Sequence, residues 1–311
     1  MLKIRNIIEI GIGSVFIIAA ILKLFSIDEF EIYIFSYNIL TFLATTFVSR
    51  IIIAGEFILG AFLILKIYYD FTKKTILSIL VLFTFFLTYT VIFRNDDNCH
   101  CFGEFIELNP LESIVKNIVI IALLAATNMK GLHDKKKRNQ RALSILIAAC
   151  SLLAVFVVSP PDSIYKMIYS TDKEVSSIDL YESFDEVVKI DFNEDEIVFD
   201  STSYFNLNEG EQLIAIVSSG CKYCKLGLKK LSLIMKKENV NIDNVNVFIW
   251  GSPEGIVNFR KETLTEDYSY WHIMPGKAID VTYGRFPIFV WLEDKKIVNT
   301  GDFRDIDDKR F

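Results

Sequence analysis

Cysteine, histidine and methionine are scarce in this sequence, whose 311 residues include five Cys, three His and five Met. Five cysteines are too few to hold a chain of this length together, which excludes a disulfide-rich scaffold. Zinc ligands at a recognisable spacing are also lacking, and the residue after the Cys-x-x-Cys motif is Lys225 where covalent haem attachment needs His. The sequence therefore predicts no bound metal.

An excess of basic residues is lacking from the second half of the chain. Residues 161–311 contain 18 Lys and Arg against 27 Asp and Glu, a net charge of 18 − 27 = −9, while residues 1–160 contain 15 against 12. Nucleic-acid-binding domains present a basic face to the phosphates. We therefore expect a soluble, acidic domain in the second half and no nucleic-acid partner.

Long hydrophobic runs, in contrast, are abundant, and 52% of the residues are hydrophobic. A membrane-spanning helix needs roughly 20 mostly apolar residues. The first run follows Lys3 and Arg5 and has no small-residue cleavage site after it, which predicts a retained anchor. Five runs fit a span, at about residues 6–25, 50–69, 74–93, 111–129 and 142–159.

Residues 32–48 form another uncharged stretch. Only Ser49 and Arg50 separate it from the next run, too few residues for the chain to reverse direction between two full spans. We therefore expect residues 32–48 to form an interfacial or packed helix on the outer side of the membrane.

Six basic residues in "KGLHDKKKRNQR", residues 130–141, indicate the orientation, because short loops rich in Lys and Arg remain in the cytoplasm. Two predicted spans separate Cys99 and Cys101 from the C-terminal domain, so both regions lie on the same face. The sequence thus predicts a multi-pass protein of the cell (inner) membrane with an extracytoplasmic C-terminal domain, in the space where thiols are oxidised.

Short strands alternate with helices beyond residue 160, a pattern typical of an α/β sandwich. "QLIAIVSS" at 212–219 predicts a buried strand, and residues 222–237 have helical periodicity. A strand at 244–250, a helix from Pro253 and a hairpin at 286–292 and 295–301 complete the pattern.

Cys221 and Cys224 lie where the first of these strands runs into a helix. Backbone N–H groups at the helix N-terminus favour a thiolate over a thiol, and Lys222 and Lys225 add positive potential. Cys221 is then the nucleophile, and Cys224 can resolve a mixed disulfide. A structural disulfide or a metal clip remains the alternative.

The strand, "CKYC", helix and "RFPIFV" together resemble the thioredoxin fold over roughly residues 200–305. The resemblance implies that Pro287 is the family's cis-proline, which lies against the cysteines and helps to hold an extended substrate chain. Phe286 before the proline, an insertion at about 263–283 and the short C-terminus "RDIDDKRF" depart from the family pattern.

Cys99 and Cys101 form a second pair, in "NDDNCHCFGEF" after the third predicted span. A disulfide between residues i and i+2 closes a very small ring, and strain in such a ring favours its reduction, which suits an exchange partner. Gly103 permits a tight turn, and His100 is either a proton carrier or a solvated spacer. Copper binding by Cys99, His100 and Cys101 is an alternative interpretation of this motif.

"SVFIIAAILKLFS", "RIIIAGEFILGAFLIL" and "CHCFGE" resemble the MauE branch of the DoxX-like membrane proteins over about residues 5–130. That branch has four spans and a Cys-x-Cys-Phe-Gly loop, usually with Gly where this chain has His100, and is named for maturing a disulfide-rich subunit of methylamine dehydrogenase. The resemblance implies thiol-disulfide chemistry without making methylamine the substrate.

The predicted architecture is an α-helical membrane bundle, made of four MauE-like spans and one linking span, followed by an α/β thioredoxin-like domain. Its parts are the membrane domain at 1–130, a basic loop and fifth span at 131–160, a connecting segment at 161–199 and the thioredoxin-like domain at 200–311.

Glu56 falls near the middle of the second predicted span and Lys23 near the outer end of the first. A carboxylate at this depth is costly unless it is paired, protonated or hydrated, which makes Glu56 a functional candidate. It either relays protons, contacts a quinone-like electron carrier, or makes a structural hydrogen bond between helices. Cys150 in the fifth span is expected to be a small packing residue.

The sequence thus predicts a membrane-bound thiol-disulfide oxidoreductase that acts on extracytoplasmic, cysteine-containing client proteins and binds no cofactor tightly. Electrons pass between the Cys221/Cys224 and Cys99/Cys101 pairs, with Pro287 and Glu56 as further site residues. A non-catalytic assembly factor with structural cysteines is the alternative, followed by a metal-handling protein.

Overall fold

The computed structural model describes residues 2–94, 98–106, 108–127, 137–169, 181, 184, 186–193 and 196–306. Most of the basic loop predicted at 130–141 and much of the connecting segment predicted at 161–199 lie outside these residues. The chain divides into two compact units, residues Met1–Ile34 with Ala44–Pro161, and Phe35–Leu43 with Asp162–Phe311.

Among the described residues, the first half of the chain is helical apart from one short strand, β1. Its elements are α1 (Leu2–Phe25), α2 (Ile27–Phe35), α3 (Phe42–Leu65), α4 (Tyr69–Phe93), β1 (Cys101–Glu104), α5 (Pro110–Ala126) and α6 (Lys137–Val158). Among the described residues, four helical stretches are long and apolar enough to cross a membrane: Ile4–Phe25, Phe42–Leu65, Tyr69–Phe93 and Gln140–Val158. These match four of the five predicted spans.

The remaining predicted span, 111–129, corresponds to α5, which has 17 residues and is thus at the lower limit for crossing a bilayer. Its N-terminus is well defined. The Asn109 side chain accepts a hydrogen bond from the backbone N–H of Glu112, and the Glu112 carboxylate accepts one from the Asn109 N–H. With Pro110 as the first helical residue, this capping box fixes where α5 begins.

Residues 32–48 do not form one separate helix, so that prediction is wrong. Helix α2 ends at Phe35, and the second spanning helix already begins at Phe42. Ser49 and Arg50 are buried inside α3, where both side chains contact the Glu31 carboxylate and the Arg50 Nε donates to the Ser159 carbonyl over 2.8 Å. Because these polar groups are satisfied within the first unit, they do not mark a helix boundary.

Two glycines allow α1 and α3 to pack closely. A Cβ atom on Gly13 would lie 2.8 Å from the carbonyl oxygen of Gly60, and one on Gly60 would lie 2.7 Å from that of Gly13. Small residues at such crossings bring helix backbones into contact in membranes. Elsewhere the bundle exposes large apolar side chains, such as Leu82 and Phe85, as expected for a lipid-facing surface.

The described residues of the second unit build a seven-stranded sheet in the order β3-β2-β6-β5-β4-β7-β8. β4 is parallel to β5, and β5 to β6, whereas the other neighbours are antiparallel. The strands are β2 (Val188–Asn193), β3 (Glu196–Asp200), β4 (Glu211–Ser218), β5 (Val245–Trp250), β6 (Ser269–His272), β7 (Ile288–Glu293) and β8 (Lys296–Gly301).

Helices cover both faces of this sheet. Successive side chains of β4 point to opposite faces, and since both sets are mainly apolar, both faces must be covered. Ala215 and Val217 point into one core with Leu228, whereas Ile214 and Ile216 point into the other. In the described part of this half, the α-helices are α7 (Asp162–Tyr169), α8 (Lys222–Glu238), α9 (Pro253–Glu262) and α10 (Pro275–Thr282). The predicted α/β architecture is confirmed, and it is consistent with a thioredoxin-like fold.

The sheet extends beyond the limits predicted for this domain. β2 lies within the segment 161–199 that the sequence predicts as a connection, and β6 lies within the insertion predicted at 263–283. Both strands are short, and β2 alternates apolar residues with the charged Lys189 and Asp191. The alternation in β2 is the pattern of a half-buried strand, so β2 could have been recognised from the sequence, whereas β6 is too short for a periodic pattern.

Candidate functional site

The Cys221/Cys224 pair lies where β4 runs into α8. Cys221 is the N-cap residue of α8, and its Sγ accepts a hydrogen bond from the backbone N–H of Cys224 over 3.2 Å. A bond from the Cys221 N–H to the Ser218 carbonyl, 3.1 Å long, turns the chain out of the strand. The predicted strand, cysteine motif and helix are thus present, with the sulfur among the free N–H groups of the first turn.

The two sulfurs differ in exposure and acidity. Cys221 is partly exposed, whereas Cys224 is completely buried. A hydrogen bond from the Cys224 thiol, aided by backbone N–H groups of Cys224 and Tyr223 and opposed by burial, lowers the pKa of Cys221 to about 6. Burial above all, and then the neighbouring Cys221 sulfur, raises the pKa of Cys224. This difference fits the predicted roles of Cys221 as the nucleophile and Cys224 as the resolving thiol, and both roles stay predictions.

Pro287 lies beside this pair. The peptide bond between Phe286 and Pro287 is cis, and the carbonyl oxygen of Phe286 lies 3.9 Å from the Sγ of Cys221. Pairing of β7 with β4 brings this segment to the end of the strand that leads to the cysteines. The position matches the one that the resemblance implies, and a role of Pro287 in holding substrate stays a prediction.

Two contacts next to the cysteines were not predicted from the sequence, one of Tyr223 and one of Lys225. Tyr223, between the cysteines, stacks on Phe303 with ring centroids 4.9 Å apart, and 45% of its surface is exposed. The positive potential predicted from Lys225 is reduced, because its ammonium group lies 2.7 Å from the Glu262 carboxylate. An aromatic residue within the motif was the available signal, but the position of Phe303 follows only from the fold.

The Cys99/Cys101 pair lies in the first unit as a disulfide, and both residues are buried. Gly103 has a φ of +67°, and a Cβ atom at this position would collide with the Ser26 hydroxyl. The Ser26 Oγ in turn accepts a hydrogen bond from the backbone N–H of Glu104 over 3.3 Å. The glycine predicted for a tight turn is therefore required by both its conformation and its contact with α1.

Ser113, in the first turns of α5, contacts both sulfurs of this disulfide. Its hydroxyl oxygen lies 2.9 Å from the Sγ of Cys99 and 3.3 Å from the Sγ of Cys101, and the residue is completely buried. Sequence reasoning missed Ser113, because an isolated serine in an apolar helix carries no signal of its own. The ring of His100 packs against Tyr33 with centroids 4.5 Å apart, and its role as a proton carrier stays a prediction.

Glu56 of α3 forms an ion pair with Lys23 of α1. The carboxylate expected to be costly in the bilayer is thus neutralised by a cation on the neighbouring helix. Lys116 of α5 places its ammonium group 4.6 Å from the ring centroid of Phe102, next to Cys101. The ion pair between Glu56 and Lys23 fits either a structural bridge between helices or an acid–base pair.

Two further expectations concern metals and Cys150. The described residues contain no group of three or more His, Cys, Asp and Glu side chains that could hold a metal ion. Cys150 is exposed on α6, and the expectation that it is a small packing residue stays a prediction. The uniformly apolar sequence around it does not distinguish the lipid-facing side of a spanning helix from the packed side.

Residues 1–129 match the model of the family described as methylamine utilisation protein MauE. The chain is also 27% identical over 309 residues to Protein TlpB of Flavobacterium psychrophilum, an alignment that covers 86% of this chain and 83% of that protein. No solved structure gives a significant match. The family match and the four apolar helices establish a membrane protein.

Proposed function

We propose that this protein, whose residues 1–129 form a MauE-family domain, is a membrane-bound thiol-disulfide oxidoreductase. The observation that carries the proposal is the difference between Cys221 and Cys224. A partly exposed sulfur with a pKa lowered to about 6 lies one helical turn from a buried thiol whose pKa is raised. Neither a structural disulfide nor a simple packing residue needs this difference.

The exchange at this pair is a reversible transfer of two electrons. The Cys221 thiolate attacks one sulfur of a client disulfide, a mixed disulfide forms, and the other client sulfur leaves as a thiolate. Cys224 then loses its proton and attacks the Cys221 sulfur, which releases the second client thiolate. The client is reduced, and Cys221 and Cys224 are left oxidised; the reverse steps oxidise a client dithiol.

The partner of this pair in our proposal is the Cys99–Cys101 disulfide of the membrane domain. The proposal requires that the 17-residue helix α5 crosses the membrane as α6 does, because two crossings between the pairs keep both on one side. The basic residues 130–141 between these helices favour the cytoplasm, which assigns the pairs to the extracytoplasmic side. Clients are therefore extracytoplasmic proteins with cysteines, and the bundle is surrounded by lipid.

Glu56 and Lys23 are proposed to transfer protons when electrons pass between the Cys99–Cys101 disulfide and a carrier in the membrane. Electrons that reach the Cys99–Cys101 disulfide must pass to or from a further carrier, and a quinone-like carrier takes up protons with its electrons. An ion pair within the bundle can supply or accept such protons at a depth that bulk water does not reach.

Trapping the mixed disulfide tests the relay. In full-length protein, Cys224→Ala combined with Cys99→Ala or Cys101→Ala prevents resolution, and non-reducing electrophoresis with mass spectrometry of the linked peptides detects the product. Because these variants hold only free thiols, the protein is treated with the mild oxidant diamide, and we expect a bond from Cys221 to the remaining cysteine of residues 99 and 101. Cys150→Ala is the matched control and should leave the product unchanged.

A redox titration separates this function from that of an assembly factor with structural cysteines. A structural disulfide resists reduction down to about −300 mV, whereas an exchanging pair titrates well above that potential. If both pairs are reduced only below this value, the protein is an assembly factor and the enzyme proposal fails.

A further inference from the structure

The two sulfurs of the Cys99–Cys101 disulfide are not equivalent in their hydrogen bonding. The Sγ of Cys99 has two donors, the Ser113 hydroxyl at 2.9 Å and the backbone N–H of Cys101 at 3.2 Å. The Sγ of Cys101 lies farther from the same hydroxyl oxygen, at 3.3 Å, and the hydroxyl has only one proton to donate. Because hydrogen bonds to a charged acceptor are stronger and shorter than those to a neutral one, this difference matters most when a sulfur becomes a thiolate.

Ser113 is held where its hydroxyl can respond to that charge. Its backbone N–H donates to the Asn109 carbonyl over 3.1 Å, and the capping box at Asn109 and Glu112 fixes the turn of α5 that carries it. Since both cysteines and Ser113 are buried, water is a poor substitute for the hydroxyl. A buried thiolate without a donor would be strongly disfavoured.

We propose that exchange at this disulfide is directional, with Cys101 as the sulfur that is attacked and Cys99 as the sulfur that leaves, stabilised by Ser113. The inference rests on the proposed function, because it assigns roles within the same exchange. It names the cysteine that is joined to Cys221 in the mixed disulfide, and it adds Ser113 to the residues that touch the reacting atoms.

The step balances as a simple exchange of sulfur partners. An incoming thiolate, Cys221 in the relay, forms a bond to the Sγ of Cys101 while the bond between Cys101 and Cys99 breaks. The electron pair of the broken bond remains on Cys99, which becomes the thiolate and accepts the hydrogen bonds of Ser113 and of the Cys101 N–H. In the second step Cys224 attacks Cys221, and the released Cys101 sulfur takes up a proton.

The test compares the two thiols one at a time in full-length protein in detergent. Cys150, Cys221 and Cys224 are replaced by Ala, and either Cys99→Ala or Cys101→Ala is added. The rate of iodoacetamide alkylation of the remaining cysteine is then measured against pH. We expect the rate for Cys99 to reach half of its plateau at a lower pH than the rate for Cys101.

Ser113 variants assign the cause of that difference. Ser113→Ala should move the half-plateau pH of Cys99 upward by about one unit, a tenfold change in thiolate at a given pH, and should move that of Cys101 less. Ser113→Thr keeps a hydroxyl and should restore most of the wild-type value. Ser26→Ala is the matched control, since Ser26 supports the same loop but touches neither sulfur.

Two results would overturn the inference: Cys101 titrating below Cys99, or Ser113→Ala leaving Cys99 unchanged. The trapping variants separate this failure from failure of the relay. A mixed disulfide that forms through Cys99 as readily as through Cys101 defeats the directionality and retains the relay. The expected titration without any bond to Cys221 defeats the relay and retains the directionality.

Discussion

The backbone N–H of Cys224 points at the Sγ of Cys221 over 3.2 Å, so Cys224 helps to stabilise a negative charge on the Cys221 sulfur. The same pair carries opposite pKa shifts, lowered to about 6 for Cys221 and raised for Cys224. In the proposed exchange, each residue favours the role of the other: the thiolate forms at the partly exposed Cys221, and the proton of Cys224 stays in place until the mixed disulfide has formed.

The first prediction concerns the pH dependence of Cys221. Because its pKa is lowered to about 6, the rate of its alkylation should rise with pH, reach half of its plateau near pH 6 and be nearly constant above pH 7. Cys224→Ala removes the largest cause of the shift and should move the midpoint upward, while the backbone N–H groups keep part of it. Stopped-flow or mass-spectrometric alkylation of the reduced protein measures both values.

Cys224→Ser is the matched control for that experiment, since its hydroxyl still donates to the Cys221 sulfur. We expect its midpoint to lie between those of the wild type and Cys224→Ala. A midpoint for wild-type Cys221 in the ordinary thiol range, at about pH 8.5, contradicts the assignment of Cys221 as the nucleophile.

The second prediction concerns the turn that carries the Cys99–Cys101 disulfide. Gly103→Ala places a Cβ atom against the Ser26 hydroxyl at a φ of +67°, which should destabilise the first unit by about 1–3 kcal/mol. Thermal unfolding in detergent measures the loss, and alkylation after reduction should show more exposed cysteines at 99 and 101.

Gly11→Ala is the comparison for this variant. Gly11 lies within α1, and a Cβ atom at this position would meet no other atom within 4 Å. Alanine should therefore leave the stability unchanged or raise it by up to about 1 kcal/mol. Equal losses for both variants would mean that Gly103 has no special place in the turn.

How far the sequence determines these results differs between the two sites. The strand, the Cys-x-x-Cys motif and the helix of the Cys221 site could be predicted, because β4, the motif and α8 are contiguous, whereas the contacts with Phe303 and Glu262 could not. Ser113 could not, since its relation to Cys99 depends on how α5 packs against the loop. The start of α3 at Phe42 could not be predicted either. Arg50 reads as a helix boundary in the sequence, and only the fold shows that it lies inside the helix, paired with Glu31.

The third prediction tests Glu56. Glu56→Gln keeps the size and a hydrogen-bonding group opposite Lys23 but cannot relay a proton, so turnover with a membrane electron carrier should fall by about 100-fold. Exchange between Cys221 and a small disulfide should stay unchanged, because that chemistry does not involve the membrane pair. Steady-state turnover in proteoliposomes and single-turnover exchange in detergent measure the two steps separately.

Glu9→Gln is the matched control, because Glu9 is another buried carboxylate of the bundle, bonded to the Tyr69 hydroxyl over 2.6 Å. It should lower the thermal stability without the selective loss of turnover. If Glu56→Gln loses stability and keeps its turnover, the ion pair with Lys23 is a structural bridge between α1 and α3.

The last prediction tests the sidedness on which the relay depends. A membrane-impermeant maleimide added to intact cells or to spheroplasts should label Cys221 from outside the cytoplasmic membrane, and should label Cys101 there in a reduced Cys99→Ala variant. Lys137→Cys in a protein without other cysteines is the comparison, because residue 137 begins α6 beside the basic loop and should react only after permeabilisation. Thiolates exchange by direct contact of sulfur atoms, so two pairs on opposite sides of a bilayer cannot react with each other. Labelling of Cys101 only from the cytoplasm would mean that α5 does not cross the membrane, and electrons would then have to reach the membrane domain from a cytoplasmic dithiol.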